Sequence, residues 1–379
     1  MAVDVDQTAE IHVIEPAGRT WRPSRTGWIV RRALLAALVA GLLVLTAVVP
    51  DFNASHISYA AIFAMVGLSM NLLLGHAGQI SLGHQAFVGI GAFTTAFVVT
   101  TLKLDFAMAL PAAALSGGLA ALVLGGAALR VRGLYLALVT LAYGAVAERT
   151  IFLFRPFTGG GAGLAAPRPT WLESDNTYAY LCLAFLAVIA YLDWRFIQTK
   201  AGRAVQAVRD SERVAASMGI NVMAYKLLAF VLSGMVAGLA GGLLGHLVKD
   251  VTATPFSFFL ALEFVLMTVV GGLGSRLGVI FGSVFFALLD KYLVTALDWL
   301  ATKPLIGGAF RWILDVAKEP ALLVPAVGSL LLILTLIQFP GGIGQQIRPI
   351  VRWFQGDRFR LAAMHEGKPT FAGGADVRP

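Results

Sequence analysis

The chain has 379 residues, 58% of them hydrophobic and 13% charged, with a mean hydropathy of +0.79. A soluble domain carries roughly 45–50% apolar and about 25% charged residues, so a single aqueous core is excluded and the chain reads as an integral membrane protein. Its one cysteine, Cys182, leaves no intrachain disulfide and no zinc cluster built on several cysteines, and the net charge of +8 must be located before it is read as a nucleic-acid surface.

Hydrocarbon about 30 Å thick needs about 20 apolar residues as helix. Ten stretches qualify or come close: 33–50, 57–74, 86–101, 107–129, 133–154, 178–194, 227–248, 256–274, 277–299 and 320–339. The expected fold is all-α, a polytopic transmembrane helical bundle with broken helices. Residues 1–32 form a cytoplasmic N-terminal extension, 33–344 the membrane domain and 345–379 a cytoplasmic C-terminal tail. The first stretch does not read as a signal peptide, because 32 mostly polar residues precede it and no small-residue cleavage site follows.

With the N-terminus in the cytoplasm, the inner segments are 1–32, 75–85, 130–132, 195–226, 275–276 and 340–379. They hold 20 of the 29 Lys and Arg residues, and the outer loops hold seven. An even number of crossings puts both termini in the cytoplasm. The basic balance is therefore positive-inside sorting against a lipid bilayer, and no nucleic-acid partner is expected. Asp290 and Lys291 fall near the middle of the ninth stretch, where ionised groups are costly. Either that helix ends near Leu289, the preferred reading, with the rest along the outer interface, or the pair faces protein. Glu148 and Arg149 lie close enough to an outer end to snorkel or pair.

Residues 75–85, GHAGQISLGHQ, break the apolar pattern. Gly75, Gly78 and Gly83 permit non-helical backbone, and Gln79, Ser81, His84 and Gln85 supply hydrogen-bonding groups. Irregular backbone at membrane depth survives only where it is buried in protein or lines a wet cavity, and broken helices often mark a translocation path. A short cytoplasmic hairpin is the alternative. His76 and His84 have no carboxylate or cysteine nearby, so no metal site is expected. A similar run, GGLGSRLG at 271–278, matches it through Gly271, Gly274 and Gly278, as parallel copies of a duplicated core would.

Residues 193–226 form the longest loop on the basic side. Gln206, Arg209, Asp210, Arg213 and Ser217 share one helical face, and Ala204, Val208, Ser211, Ala215 and Met218 the opposite one. The pattern predicts one helix over 202–219, about 16 residues and roughly 24 Å long, with Gly219 at the C′ position. A solvated connector is one reading; a surface that packs against another protein fits the two faces better. The next helix carries Gly234, Gly238 and Gly242 at four-residue spacing, as well as Gly241 and Gly245, a small-xxx-small packing face, and Gly278–Gly282 repeats the spacing. The Gly- and Pro-rich outer loop 155–177 is either a docking surface for an extracytoplasmic partner or a flexible connector.

No G-x-x-x-x-G-K-[ST], H-E-x-x-H or G-x-S-x-G occurs. No set of Asp, Glu and His across helices suits a proton relay. No catalytic residue, metal ligand or cofactor is expected in this chain, which points to a passive path energised by another subunit.

Four blocks resemble the permease subunits of ABC importers for branched-chain amino acids: NLLLGHAGQISLGHQAFVGIGAF at 71–93, GLYLALVTLAYGAVAERTIFLFRPFTGGGAGL at 133–164, KAGRAVQAVRDSERVAASMGINVMAYKLLAFVLSGMVAGLAGG at 200–242, and TVVGGLGSRLGVIFGSVFFALL at 268–289 with LILTLIQFPGGIG at 332–344. The resemblance implies that 33–344 is a permease domain of the bacterial inner membrane and that 202–219 is its cytoplasmic coupling helix. Glu212, Ala215, Ala216 and Gly219 resemble the Glu-Ala-Ala…Gly motif of ABC permeases, with two residues intervening after Glu212. Arg203, Arg209 and Asp210 join them as coupling residues. The implied partners are two cytoplasmic ATPase subunits, which bind the ATP, a second related permease chain and a periplasmic substrate-binding protein. Asn71, Gln79, Ser81, His84 and Gln85 are the candidates for the path. Relatives serving urea, short amides or aromatic acids leave the substrate open. Outside the family the competing readings are a stand-alone secondary transporter or channel, and a membrane enzyme, for which no constellation is present.

Overall fold

Small residues decide how this chain packs. The structure, a computed structural model, describes residues 51–131, 133–301, 329, 330 and 333. The 1–32 extension, the 345–379 tail, the 33–50 stretch and all but three helical residues of 320–339 lie outside the described residues. Among the described residues ten α-helices of six or more residues carry the fold: α1 (Asp51–Met70), α2 (His84–Thr100), α3 (Phe106–Ala128), α4 (Leu134–Arg149), α5 (Asp175–Gln198), α6 (Lys200–Asp210), α7 (Glu212–Ser217), α8 (Val222–Val248), α9 (Phe258–Gly271) and α10 (Arg276–Ala301). Two two-residue strands, β1 (Leu164–Ala165) and β2 (Asp250–Val251), pair antiparallel, a small addition to the all-α expectation.

Among the described residues five helical segments are long and apolar enough to cross a membrane: Ala54–His76, Phe106–Ala128, Leu134–Leu153, Asp175–Gln198 and Val222–Val248. The apolar helices His84–Thr100, Phe258–Gly271 and Arg276–Leu289 are shorter. Each coincides with a stretch expected from hydropathy, so the protein is a helical membrane protein. The expected end near Leu289 is absent, because α10 continues unbroken through Asp290 and Lys291 to Ala301.

α8 is the axis of the bundle. Its glycines admit two neighbours at backbone distance. A Cβ on Gly238 would run into the Ala113 carbonyl of α3, and one on Gly234 into the Cβ of Ala121. On the other flank a Cβ on Gly241 would strike the Val88 carbonyl of α2. Backbones this close gain dispersion along their whole seam, which is what holds helices together where lipid removes the hydrophobic drive. Aromatic side chains fill the rest: Phe87 stacks edge-on against Phe230, and Phe93 of α2 clusters with Phe152 and Phe256. α5 and α10 line α1, and α9 and α10 meet through Gly271 and Gly282.

The connections sort into two ends, as alternating crossings require. At one end the loop 155–177 is tied to its neighbours. Thr100 donates to the Ala165 carbonyl, Ala166 N–H to the Lys249 carbonyl at 2.6 Å, and Trp171 stacks edge-on against Phe106. Arg168, its side chain only 3% exposed, reaches the last carbonyls of α8, those of His246 and Leu247, at 2.8 and 3.2 Å. At the other end meet the segments 75–83, 199–221 and 272–275, which form the candidate site.

Candidate functional site

α1 does not stop at Met70. It continues as a π-helical turn, Asn71–His76, and the chain then runs without regular structure to Gly83 before α2 begins. Gly78, at φ +66°, takes the turn that an L side chain rarely allows. The irregular backbone finds partners: Ala77 N–H bonds Leu72 O at 3.1 Å, Gln79 N–H bonds Leu73 O at 3.0 Å, and Leu82 N–H bonds the Thr140 hydroxyl at 2.9 Å.

Depth follows from the helices alongside. Ser233, which meets the start of α2 through Ser69 and His84, lies eleven residues into the 27-residue α8. At 1.5 Å per residue that is about 16 Å along a helix of about 40 Å. Thr140 is six residues into α4, about 9 Å by the same rise. The segment 77–83 therefore runs back into the bundle beside α4 and α8.

The five expected path residues are all buried: Asn71, Ser81 and His84 at 0%, Gln85 at 1% and Gln79 at 3% exposed. Their hydrogen bonding separates them. The Ser69 hydroxyl donates to Ser233 O at 2.8 Å, so it accepts from His84 Nε2 at 2.7 Å, which leaves His84 Nδ1 without a partner. Both amide atoms of Gln79, the Ser81 hydroxyl and Gln85 Oε1 also lack partners. Asn71 differs, since its Oδ1 accepts from Gly274 N–H at 2.8 Å and its Nδ2 lies 3.4 Å from His76 Nε2. Asn71 thus ties the first glycine break to the second, 272–275. A Cβ on Gly75 would stand 2.7 Å from Gly274 N, so the two runs meet backbone to backbone.

Sequence reasoning missed the charges gathered here. His76 does have a carboxylate nearby, because Asp193 of α5 brings Oδ1 to 3.9 Å from its Nε2. Asp193 Oδ2 takes Arg276 Nε at 2.5 Å. An ionisable set across helices therefore exists, at the end of the bundle and centred on an arginine salt bridge. More than eighty residues separate Asp193 from either partner, so no local pattern announces it. Among the described residues no three His, Cys, Asp or Glu side chains gather as a metal site would require.

The basic loop is not one helix over 202–219. α6 begins at Lys200, with the Thr199 hydroxyl accepting from Gly202 N–H at 3.1 Å, and ends at Asp210. Ser211 is extended (φ −161°, ψ 111°), and its hydroxyl caps α7. The break turns α7 relative to α6, so Met218, expected on one face with Val208 and Ala215, is 73% exposed while those two are buried, and Val214 is 52% exposed. Gly202, Val205, Val208 and Ala215 are the buried residues. Arg203, Arg209, Asp210, Ala216 and Gly219 are exposed. Two of the expected coupling residues also bond to their own chain. Arg209 Nη1 donates to the Gly75 carbonyl, and Glu212 Oε1 accepts from Lys226 Nζ in the first turns of α8.

Gly219 sits where the sequence puts it. At φ +78° it closes α7, with Gly219 N–H bonded to Ala216 O at 3.0 Å and Ile220 N–H to Ala215 O at 3.1 Å, the paired bonds of a Schellman motif. Gly219→Ala is expected to cost about 1 kcal/mol of local stability through the left-handed backbone alone, since nothing lies within 4 Å of a Cβ there. Faster amide exchange of 212–220 in the variant, with the rest of the chain unchanged, is the measurement that checks it.

A family model described as "Branched-chain amino acid transport system / permease component" matches residues 52–337. The chain is similar to the high-affinity branched-chain amino acid transport system permease protein LivM of Escherichia coli K12, 30% identical over 255 residues that make up 60% of this chain and 60% of the relative. The alignment thus spans less than two thirds of that relative's length. The probable branched-chain amino acid transport permease protein LivH of Methanocaldococcus jannaschii is 27% identical over 279 residues, 71% of this chain and 81% of the relative. A solved structure, PsaBC from Streptococcus pneumoniae in complex with Fab, is 14% identical at a TM-score of 0.41, covering 82% of this chain and 99% of that one.

Proposed function

Because the chain belongs to the family of branched-chain amino acid transport system permease components, we propose that it forms part of the translocation path of an ABC importer for branched-chain or other hydrophobic amino acids. Two cytoplasmic ATPase subunits drive it, a second related permease chain completes the channel, and a periplasmic binding protein delivers the substrate. The chain crosses the bacterial inner membrane ten times, with both ends in the cytoplasm.

One observation carries the placement of the path. Five polar atoms on Gln79, Ser81, His84 and Gln85 lie buried without partners, on a segment that re-enters the bundle. Buried polar groups are nearly always hydrogen-bonded, and in hydrocarbon an unpaired one costs several kcal/mol. A polar solute or water in transit supplies the missing partners. None of the four is an Asp, Glu, Lys or Arg, which suits a zwitterion whose two charges cancel. Asn71, engaged at both ends of its amide, holds the breaks together beside the path.

The α6–α7 loop seats on the ATPase through Arg203, Asp210, Ala216 and Gly219, with exposed Val214 and Met218 as apolar contacts. Gln79→Leu, Ser81→Ala and Gln85→Leu each remove a path group while leaving this loop intact. Uptake of leucine by the reconstituted complex is expected to fall about tenfold or more, the factor that one buried hydrogen bond to a charged group is worth. Co-purification of the ATPase subunits should persist. Wild-type uptake in all three variants would remove these residues from the path.

A further inference from the structure

We propose that Arg209 is a positioning residue that fastens the α6–α7 loop to the two glycine breaks, so that movement of the loop is delivered to the Gly75–Gly274 junction. The inference rests on the permease reading and adds to it a mechanical link inside this chain.

Three features of the site point to it. Gly75 lies at the end of the π-helical turn, where the last carbonyls of a helix have no partner within it and carry the negative end of its dipole. The Arg209 guanidinium donates to that carbonyl from a loop 134 residues away. Its stem lies along Gly78, where a Cβ would come within 3.0 Å of Arg209 Cγ, so a side chain at 78 would crowd the arginine out. The carbonyl that Arg209 holds belongs to the residue whose backbone abuts Gly274, and Asn71 fixes the same pair from the other side.

Arg209 is exposed along part of its length, and among the described residues the nearby carboxylate does not draw it from the Gly75 carbonyl. Asp193, the carboxylate of the neighbouring cluster, is taken by Arg276. Beside the arginine, Val205 of the same helix packs with Ala77 and with Ala229 of α8 in a small apolar cluster. α6 is therefore seated on the first break at two points four residues apart, one apolar and one a charge-assisted hydrogen bond. A body held this way does not slide over residues 75–77 without losing both contacts. Past Ser211, by contrast, α7 is anchored through Glu212 to Lys226 of α8. Closure of the ATPases on α7 and α6 thus pulls on the first break chiefly through Arg209.

The test uses the complex purified from its native membrane and reconstituted in liposomes, as wild type, Arg209→Ala and Arg209→Lys. Three quantities are read: ATPase subunits retained, leucine taken up per ATP hydrolysed, and the change in amide exchange of 71–83, 199–221 and 271–278 on adding a non-hydrolysable ATP analogue. For Arg209→Ala the subunits stay, uptake per ATP falls about tenfold or more, and the nucleotide-dependent change at 71–83 disappears while that at 199–221 persists. Arg209→Lys, which can place an ammonium near the same carbonyl, recovers part of both. If Arg209→Ala does not accumulate, Arg209→Gln, a neutral donor of similar length, takes its place in the comparison. A nucleotide response at 71–83 equal to wild type overturns the proposal. Loss of the ATPase subunits from Arg209→Ala also overturns it, by making Arg209 a contact with the partner. A wild-type chain that carries no ATPase and moves leucine without ATP contradicts the permease reading itself, and is recognised before any variant is compared.

Discussion

Replacing Gly238 by valine is expected to leave almost no folded protein in the membrane. Its Cβ would enter the Ala113 carbonyl and stand 3.0 Å from Gly117 Cα, both backbone atoms that cannot turn aside as a side chain would. Relief requires α3 and α8 to separate, and the seam cannot yield at one point only. Gly234 and Gly117 close it one turn away, and Gly241 binds α8 to Val88 of α2 on the far flank. Overpacking a tight interior costs about 1–3 kcal/mol even where side chains can adjust. Here the loss extends to contacts along two helices, toward the exceptional range above about 4 kcal/mol. Gly126→Ala, in the same α3 with nothing within 4 Å of the new Cβ, is the control and should accumulate as wild type. The amount of monodisperse chain extracted from membranes separates the two; equal yields would mean that the α3–α8 seam does not hold the bundle.

The second large effect is expected at the opposite end, from Arg168→Ala. Arg168 Nη1 pairs with Asp175 Oδ1 at 2.5 Å, Nε and Nη2 cap the last carbonyls of α8, and the guanidinium lies 4.1 Å over the Tyr178 ring. Removing it unpairs a carboxylate and two carbonyls at once. Breaking a buried pair costs about 3–5 kcal/mol, and the value belongs at the lower end because the Asp175 side chain is 28% exposed. Arg168→Lys supplies one compact charge in place of a planar fork and should recover only part. Thermal unfolding in detergent, with proteolysis of the 155–177 loop, reads both. Unchanged melting in Arg168→Ala would mean that the 155–177 loop is held by its other contacts, the β1–β2 pair and Trp171 on Phe106.

The helices were legible because about 20 apolar residues in a row have few other fates, and the glycine spacing in 234–245 announced a packing face. Spacing alone could not name the partners, and the face proves to be shared between α3 and α2. The loop helix was misread for a reason that is local. Apolar periodicity runs on through 204–218, but Asp210-Ser211-Glu212 carries the signal of a new start, a serine cap with an acidic first turn. The candidate path residues were chosen for being polar in a greasy chain, and all five are buried. What the sequence could not show is which of them already have partners, since Asn71 bonds Gly274 across 203 residues. Arg209 was legible as important and assigned to a partner protein, because nothing in a linear pattern tells an outward arginine from one that folds back onto its own backbone.

The central claim, that this chain is the membrane path of an ATP-driven importer, is tested most directly by purifying it from its native membrane in mild detergent and identifying what accompanies it by mass spectrometry. The account predicts two P-loop ATPases and a related permease, and leucine uptake into liposomes that requires ATP. Recovery of the chain alone, in detergent that keeps a known ABC complex intact, with uptake independent of ATP, would contradict it.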